Sequence, residues 1–140
     1  MEKEKLFDIT YLKMAKTWSE LSYCNRKKVG AIIVKNGMII SDGFNGTPSK
    51  SKPNVCEDED GNTHWWVLHG EANAILKCAK NGFSSDGATL YQTYSPCREC
   101  SKLILQAGIK RVVYIDEYRD LMGVEFLKES GVQVDRIEIE

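Results

Sequence analysis

The sequence predicts one α/β domain over residues 1–140, a five-stranded mixed sheet covered by helices in three α/β/α layers. Three observations carry this. Asn36-Gly37 lies between two β-branched runs, the strongest short hairpin signal, since both turn positions tolerate positive φ. From residue 69 onward, helical and strand patterns alternate, as β-α-β units require. A chain of 140 residues with 42% hydrophobic content is the right size for one core.

The elements follow in order. Between Phe7 and Tyr23, residues Tyr11, Met14, Ala15, Trp18 and Leu21 recur near helical spacing, which predicts a helix with that stripe buried. Val29 to Lys35 and Met38 to Ser41 form the two arms of the hairpin. Gly43 to Thr63 holds two prolines and the acidic run 57–60, and reads as a long polar loop. Ala72, Ile75, Leu76 and Ala79 share a helical face that ends at Asn81-Gly82. Ala88 to Thr93 reads as a strand, Cys97 to Gln106 as a helix and Arg111 to Ile115 as a strand. Leu121 to Glu129 reads as a helix, and Val132 to Ile139 closes as the last strand.

Composition narrows the function. Nineteen Lys+Arg against 20 Asp+Glu give a net charge of -1, which argues against a protein that coats a long polyanion. The charged start, Met1 to Lys5, offers no signal-peptide h-region, and no apolar run is long enough to span a bilayer. The expected location is the cytoplasm. There Cys24, Cys56, Cys78, Cys97 and Cys100 are metal ligands, reactive thiols or core fillers before they are disulfides. Cys78, among Ala74, Ile75 and Ala79, reads as core. Trp65-Trp66 reads as capping the entrance of a site or filling a subunit interface, with packing favoured, and the acidic run as a solvated loop.

Two motifs carry chemistry: His69-Gly70-Glu71 and Pro96-Cys97-Arg98-Glu99-Cys100. Cys97 and Cys100 fall one helical turn apart at a helix start, where the backbone dipole favours thiolates. His69 opens the preceding helix, and helix N-termini of such a sheet gather at the carboxyl ends of the strands. One His and two Cys make three ligands for Zn²⁺ with a fourth position open, the pattern of a catalytic rather than a structural site. For Glu71 to converge with His69, the histidine must sit at a non-helical cap. A carboxylate there can take a proton from water and pass it to a substrate.

The order His-x-Glu, then Pro-Cys-x-x-Cys, is a zinc-deaminase signature. Asn25-Arg26-Lys27-Lys28-Val29-Gly30-Ala31 precedes the first strand, and Gly43-Phe44-Asn45-Gly46-Thr47-Pro48 follows the second. With Leu90-Tyr91, Ala107-Gly108-Ile109 and Val112-Val113-Tyr114, these segments resemble the cytidine/deoxycytidylate deaminase superfamily, its deoxycytidylate (dCMP) deaminases above all. The resemblance runs from about Tyr11 to the last strand and implies a cytidine-deaminase-like fold. It implies His69, Cys97 and Cys100 as zinc ligands, Glu71 as proton shuttle, and hydrolytic conversion of dCMP to dUMP and ammonia. It places the Asn45-Gly46-Thr47 loop near the sugar and Arg26 at the phosphate, Arg26-Lys27-Lys28 being the most compact basic run. Tyr118 and Arg119 offer a stacking face and a second phosphate contact. Gly70 stands where relatives usually have Ala, and its N–H stays available to the base.

Some relatives carry a second zinc, for which Cys24, Cys56 and His64 are the candidates here. The resemblance further implies a homo-oligomer, a hexamer first, with dCTP and dTTP as allosteric effectors. Three rival readings stay within the superfamily. A tRNA adenosine deaminase calls for a broader basic surface. A free-cytidine deaminase commonly has Cys at the position of His69, and a riboflavin-pathway deaminase is often fused to a second domain. A non-catalytic zinc or nucleotide-binding module is the rival from another class, and it has no use for Glu71 beside an open metal position.

Overall fold

The computed structural model describes residues 2–50 and 53–139. In chain order these form α1 (Lys3–Ser19), β1 (Gly30–Lys35), β2 (Met38–Phe44), α2 (Gly70–Lys80), β3 (Thr89–Tyr94), α3 (Arg98–Gln106), β4 (Arg111–Asp116), α4 (Met122–Glu129) and β5 (Gln133–Arg136). The sheet order is β2-β1-β3-β4-β5. β1 runs antiparallel to both β2 and β3, while β3, β4 and β5 are parallel, so the sheet is mixed as predicted. Asn36 and Gly37 turn the hairpin with φ of 51° and 75°.

Strand alternation divides the core in two. Ala31, Ile33, Leu90 and Val112 face α2, α3 and α4, where they meet Ala74, Cys78, Ile104 and Leu127. Ile32, Val34, Tyr91, Val113 and Ile115 face Leu12 and Ala15 of α1. The two faces give the three layers, and Cys78 is core, as its apolar neighbours predict.

The stripe predicted for α1 holds at Ala15 and, in part, at Tyr11, which packs against the same cluster, and fails at the other three positions. The helix buries Asp8, Leu12, Ala15 and Ser19, whereas Met14, Trp18 and Leu21 are exposed. Close approach decides this face: a Cβ on Gly30 would lie 1.9 Å from the Ala15 carbonyl oxygen, so small residues and no side chain meet at the contact. Trp18 reaches over the rim instead, its indole N–H donating to Asp42 at 3.0 Å.

Asp8 is buried because it is paired. Arg111 donates through both terminal nitrogens to the two Asp8 oxygens at 2.9 Å, Tyr91 donates its hydroxyl at 2.6 Å, and Arg111 Nε turns to Asp135 at 2.9 Å. Burial opposes ionisation of Asp8, but the hydrogen bonds from Arg111 and Tyr91 and the Arg111 charge outweigh it and hold the carboxyl below its ordinary value. Asp8→Asn is expected to destabilise the fold by about 1.5–3 kcal/mol, because it removes the charged partner of two Arg111 N–H groups and leaves the guanidinium with Asp135 as its one carboxylate among the described residues. The pH dependence follows from the lowered value. The Asp8 contribution is complete above the unfolded carboxyl pKa of about 3.9 and is lost as pH falls through the lower folded value. Urea unfolding of the two proteins at neutral and acid pH checks this: the stability gap narrows on acidification.

Candidate zinc and nucleotide site

The site forms where α2 and α3 begin, beside the carboxyl ends of β3 and β4. Gly43 sets the position of α2, since a Cβ there would lie 2.6 Å from both the Gly70 oxygen and the Ala74 nitrogen. His69 caps α2 with extended backbone (φ -75°, ψ 155°), and Cys97 caps α3 in the same way (φ -74°, ψ 171°). The cap lets His69 and Glu71 converge although they are two residues apart. Ser95 ties the next strand to this corner: its N–H donates to the Asp116 carbonyl, and its hydroxyl accepts the Tyr118 N–H at 2.9 Å.

His69 Nδ1 lies 3.4 Å from Cys97 Sγ and 3.3 Å from Cys100 Sγ, and the three ligand atoms all fall within 4.8 Å of one another. Around a tetrahedral zinc, His and Cys ligand atoms stand about 3.5 Å apart, given ordinary bond lengths. The three residues therefore fit that ion in both chemistry and spacing. The Cys100 hydrogen bond, reinforced by His69 and the Cys100 N–H and opposed by burial, draws the Cys97 thiol down to about 4, so it is a thiolate at neutral pH. Its thiolate neighbour and burial push Cys100 the other way. The Cys97 hydrogen bond raises His69 against the effect of burial, with help from the Glu71 charge.

Glu71 is buried on the first turn of α2. Burial raises its carboxyl above the ordinary range, against its own backbone N–H, His69 and Gln92. A carboxyl raised in this way is suited to taking and returning a proton. Gln92, fully buried on β3, donates Nε2–H to Glu71 Oε2 at 3.0 Å and to the Tyr94 carbonyl. Its Oε1 is buried with no hydrogen-bond partner among the described residues. The two acceptors fix the amide with nitrogen toward Glu71. Gln92→Met is expected to lower kcat by roughly 10- to 100-fold with zinc content unchanged, as steady-state kinetics and metal analysis will show.

A cavity of about 400 Å³ opens over these groups, within the usual size for a small-molecule site. His69, Glu71, Cys97, Arg26, Asn45 and Tyr118 line it together, as does Cys24, a candidate for the second zinc. Cys100 lies buried behind this lining, and Gly46, Thr47, Gly70 and Arg119 are not part of it either. Gly46 is paired through its backbone to Leu68, Thr47 donates to Asn54 at 3.0 Å, Gly70 is the buried first residue of α2, and Arg119 is exposed. Asn45 acts as a clamp: its Oδ1 accepts the Val29 N–H, and its Nδ2 donates to the Lys27 carbonyl, both at 2.8 Å.

Other residues at the cavity were read differently from sequence. Glu57 belongs to the acidic run read as solvated loop, yet its carboxylate accepts the Asn25 and Arg26 N–H groups at 3.1–3.2 Å. Lys27 and Tyr94 also line the cavity. Cys24 and Cys56 are joined as a disulfide, Cα–Cα 5.1 Å, where the compartment argument expects reduced cysteines. Glu57 is the third ligand-type group beside them. His64 is not in that cluster and stacks on Trp66 at 4.1 Å between centroids. Trp65 is 89% exposed in the single chain.

A family model described as the cytidine and deoxycytidylate deaminase zinc-binding region matches residues 5–116. The chain belongs to this family. It is 39% identical over 124 residues to ComE operon protein 2 of Bacillus subtilis, covering 85% of this chain and 65% of that protein. It is 35% identical over 167 residues to the deoxycytidylate deaminase of Enterobacteria phage T4, covering 89% of this chain and 86% of the phage enzyme. The crystal structure of the dCMP deaminase from cyanophage S-TIM5 in complex with dCMP and dUMP superposes with a TM-score of 0.91 at 49% identity. That match covers 98% of this chain and 99% of that one.

Proposed function

We propose that this family member is a zinc-dependent hydrolase that converts dCMP to dUMP and ammonia in pyrimidine deoxynucleotide metabolism. The observation that carries the reading is one nucleotide-sized cavity where the buried Glu71 carboxyl, His69 and Cys97 of the His/Cys/Cys cluster, and Arg26 and Lys27 of the basic run meet. Likeness to a dCMP- and dUMP-bound enzyme over nearly the whole chain supports the substrate.

His69, Cys97 and Cys100 would hold the zinc, which when bound supplies a water acidified to near neutrality. Glu71 takes a proton at one carboxyl oxygen, while Oε2 is held by Gln92. It delivers that proton to cytosine N3 as the water oxygen bonds to C4. It then takes the proton of the new C4 hydroxyl and gives it to the amino group, so that the C4–N bond breaks, ammonia leaves and C4 keeps the oxygen as a carbonyl. Tyr118 provides a stacking face for the pyrimidine, Asn45 shapes the wall through the Lys27–Val29 backbone, and Arg26 meets the 5′-phosphate. For Gly46, Thr47, Gly70 and Arg119 the family resemblance is the support: the loop lies at the sugar, the Gly70 N–H meets the base and Arg119 makes a second phosphate contact.

The finer parts of the reading are a homo-oligomer, a hexamer first, a cytoplasmic location, and control by dCTP and dTTP. Exposed Leu6, Phe7, Met14 and Trp65 support the oligomer, which light scattering measures. No described helix is long and apolar enough to cross a membrane. A second zinc requires Cys24 and Cys56 to be reduced, with Glu57 in place of His64; metal content with and without reductant decides it.

The testing experiment is an ammonia-release assay on dCMP, dCTP, deoxycytidine and an adenosine-bearing tRNA stem-loop, with and without dCTP and dTTP as effectors. The reading predicts dCMP as the preferred substrate. Preference for the stem-loop contradicts it, as does absence of turnover on every substrate.

A further inference from the structure

We propose that Lys27 is a latch that makes turnover depend on the 5′-phosphate, an inference that rests on the dCMP reading above. Lys27 Nζ lies 4.0 Å from the centroid of the Tyr118 ring and 4.5 Å from that of Tyr94. The two rings stack on each other at 5.1 Å with 26° between their planes. All three side chains line the cavity that holds Glu71 and His69. The ammonium thus covers the aromatic wall on which a pyrimidine would stack, and cation and base compete for the same π surface.

The root of Lys27 is fixed while its head is not. Asn45 Nδ2 holds the Lys27 carbonyl at 2.8 Å and Asn45 Oδ1 holds the Val29 N–H at 2.8 Å, while Glu57 accepts the N–H of Arg26 at 3.2 Å. The side chain itself is exposed, and its four-carbon stem can swing without moving the loop. A phosphate beside Arg26 offers the ammonium a stronger, charge-assisted partner than the rings do. Phosphate and base therefore act together: one draws the ammonium off the wall and the other occupies the surface left free. A nucleoside without phosphate has to displace the ammonium unaided. The geometry makes Lys27 a specificity-determining residue, apart from any contribution it makes to phosphate affinity.

The experiment compares wild type with Lys27→Met and Lys27→Arg, each checked for zinc content and circular dichroism. In Lys27→Met, kcat/KM for dCMP is expected to fall roughly 10- to 100-fold, while that for deoxycytidine rises roughly 3- to 10-fold. Lys27→Arg keeps a cation that can sit on the rings, so it recovers dCMP activity and keeps deoxycytidine turnover low. Deoxycytidine turnover that stays level or falls in Lys27→Met overturns the latch, as does Lys27→Arg behaving like Lys27→Met. Independently of folding by the variants, wild-type protein labelled at the lysine ε-carbons reads the contact directly. A ring-shifted Lys27 resonance that moves to the ordinary lysine position on dUMP addition supports the latch. An unshifted resonance before addition, or no movement with saturating dUMP, overturns it. Wild-type inactivity on dCMP overturns the activity reading and the latch together. Wild-type activity with discrimination intact in Lys27→Met overturns the latch alone.

Discussion

Glu71→Gln is expected to leave the protein folded and zinc-loaded and to lower dCMP turnover by roughly 10²- to 10⁴-fold. Glutamine has the same shape and keeps an oxygen that can accept the Gln92 N–H, so the local packing survives. What is lost is a carboxyl that burial has made easier to protonate, held beside the His/Cys/Cys cluster. An amide neither takes a proton from water nor returns one to the base. The informative comparison is ammonia release against zinc per chain in the same preparation. Normal turnover in Glu71→Gln would remove the proton shuttle from the mechanism.

Cys100→Ser is expected to cost the metal itself. Cys100 is 3% exposed and lies outside both hydrophobic clusters, so the substitution changes a ligand and leaves the core intact. Losing a partner that merely orients a ligand weakens metal binding 10- to 100-fold, so losing a thiolate ligand should exceed about 100-fold and abolish turnover. Competition with a chromophoric chelator measures the affinity. Cys78→Ser is the matched control: that thiol is in the core against Ile104 and Leu127, and its replacement should lower stability while zinc stays bound.

The chemistry was more legible in the sequence than the packing. Cys97 and Cys100 are set by helical spacing, and His69 had to lie at a cap for Glu71 to reach the same point; both are local rules, and both histidine and cysteine stand at caps. The hairpin at Asn36-Gly37 is equally local. The buried face of α1 was only partly legible, because it depends on how close Gly30 lets the helix come and on a pair between Asp8 and Arg111, 103 residues apart. Glu57 was misread for the same reason: inside an acidic run it is like its neighbours, and only folding brings it to the backbone of residues 25 and 26. Gln92 did leave a trace, an amide inside a strand of otherwise apolar, aromatic and hydroxyl residues, but its partner Glu71 is 21 residues away. Cys24 and Cys56 were weighed by compartment and ligand type, neither of which reveals that two loops meet. Lys27 was hidden in plain view, one of three adjacent cations that only the tyrosine rings distinguish.

The most direct measurement of the central claim is the fate of oxygen. Zinc-loaded protein is incubated with dCMP in water enriched in heavy oxygen, and the nucleotide product is analysed by mass spectrometry alongside ammonia. Hydrolysis at C4 predicts dUMP carrying one solvent-derived oxygen on the base, with one ammonia per dUMP. Unlabelled dUMP, or dCMP recovered unchanged with no ammonia, contradicts the account.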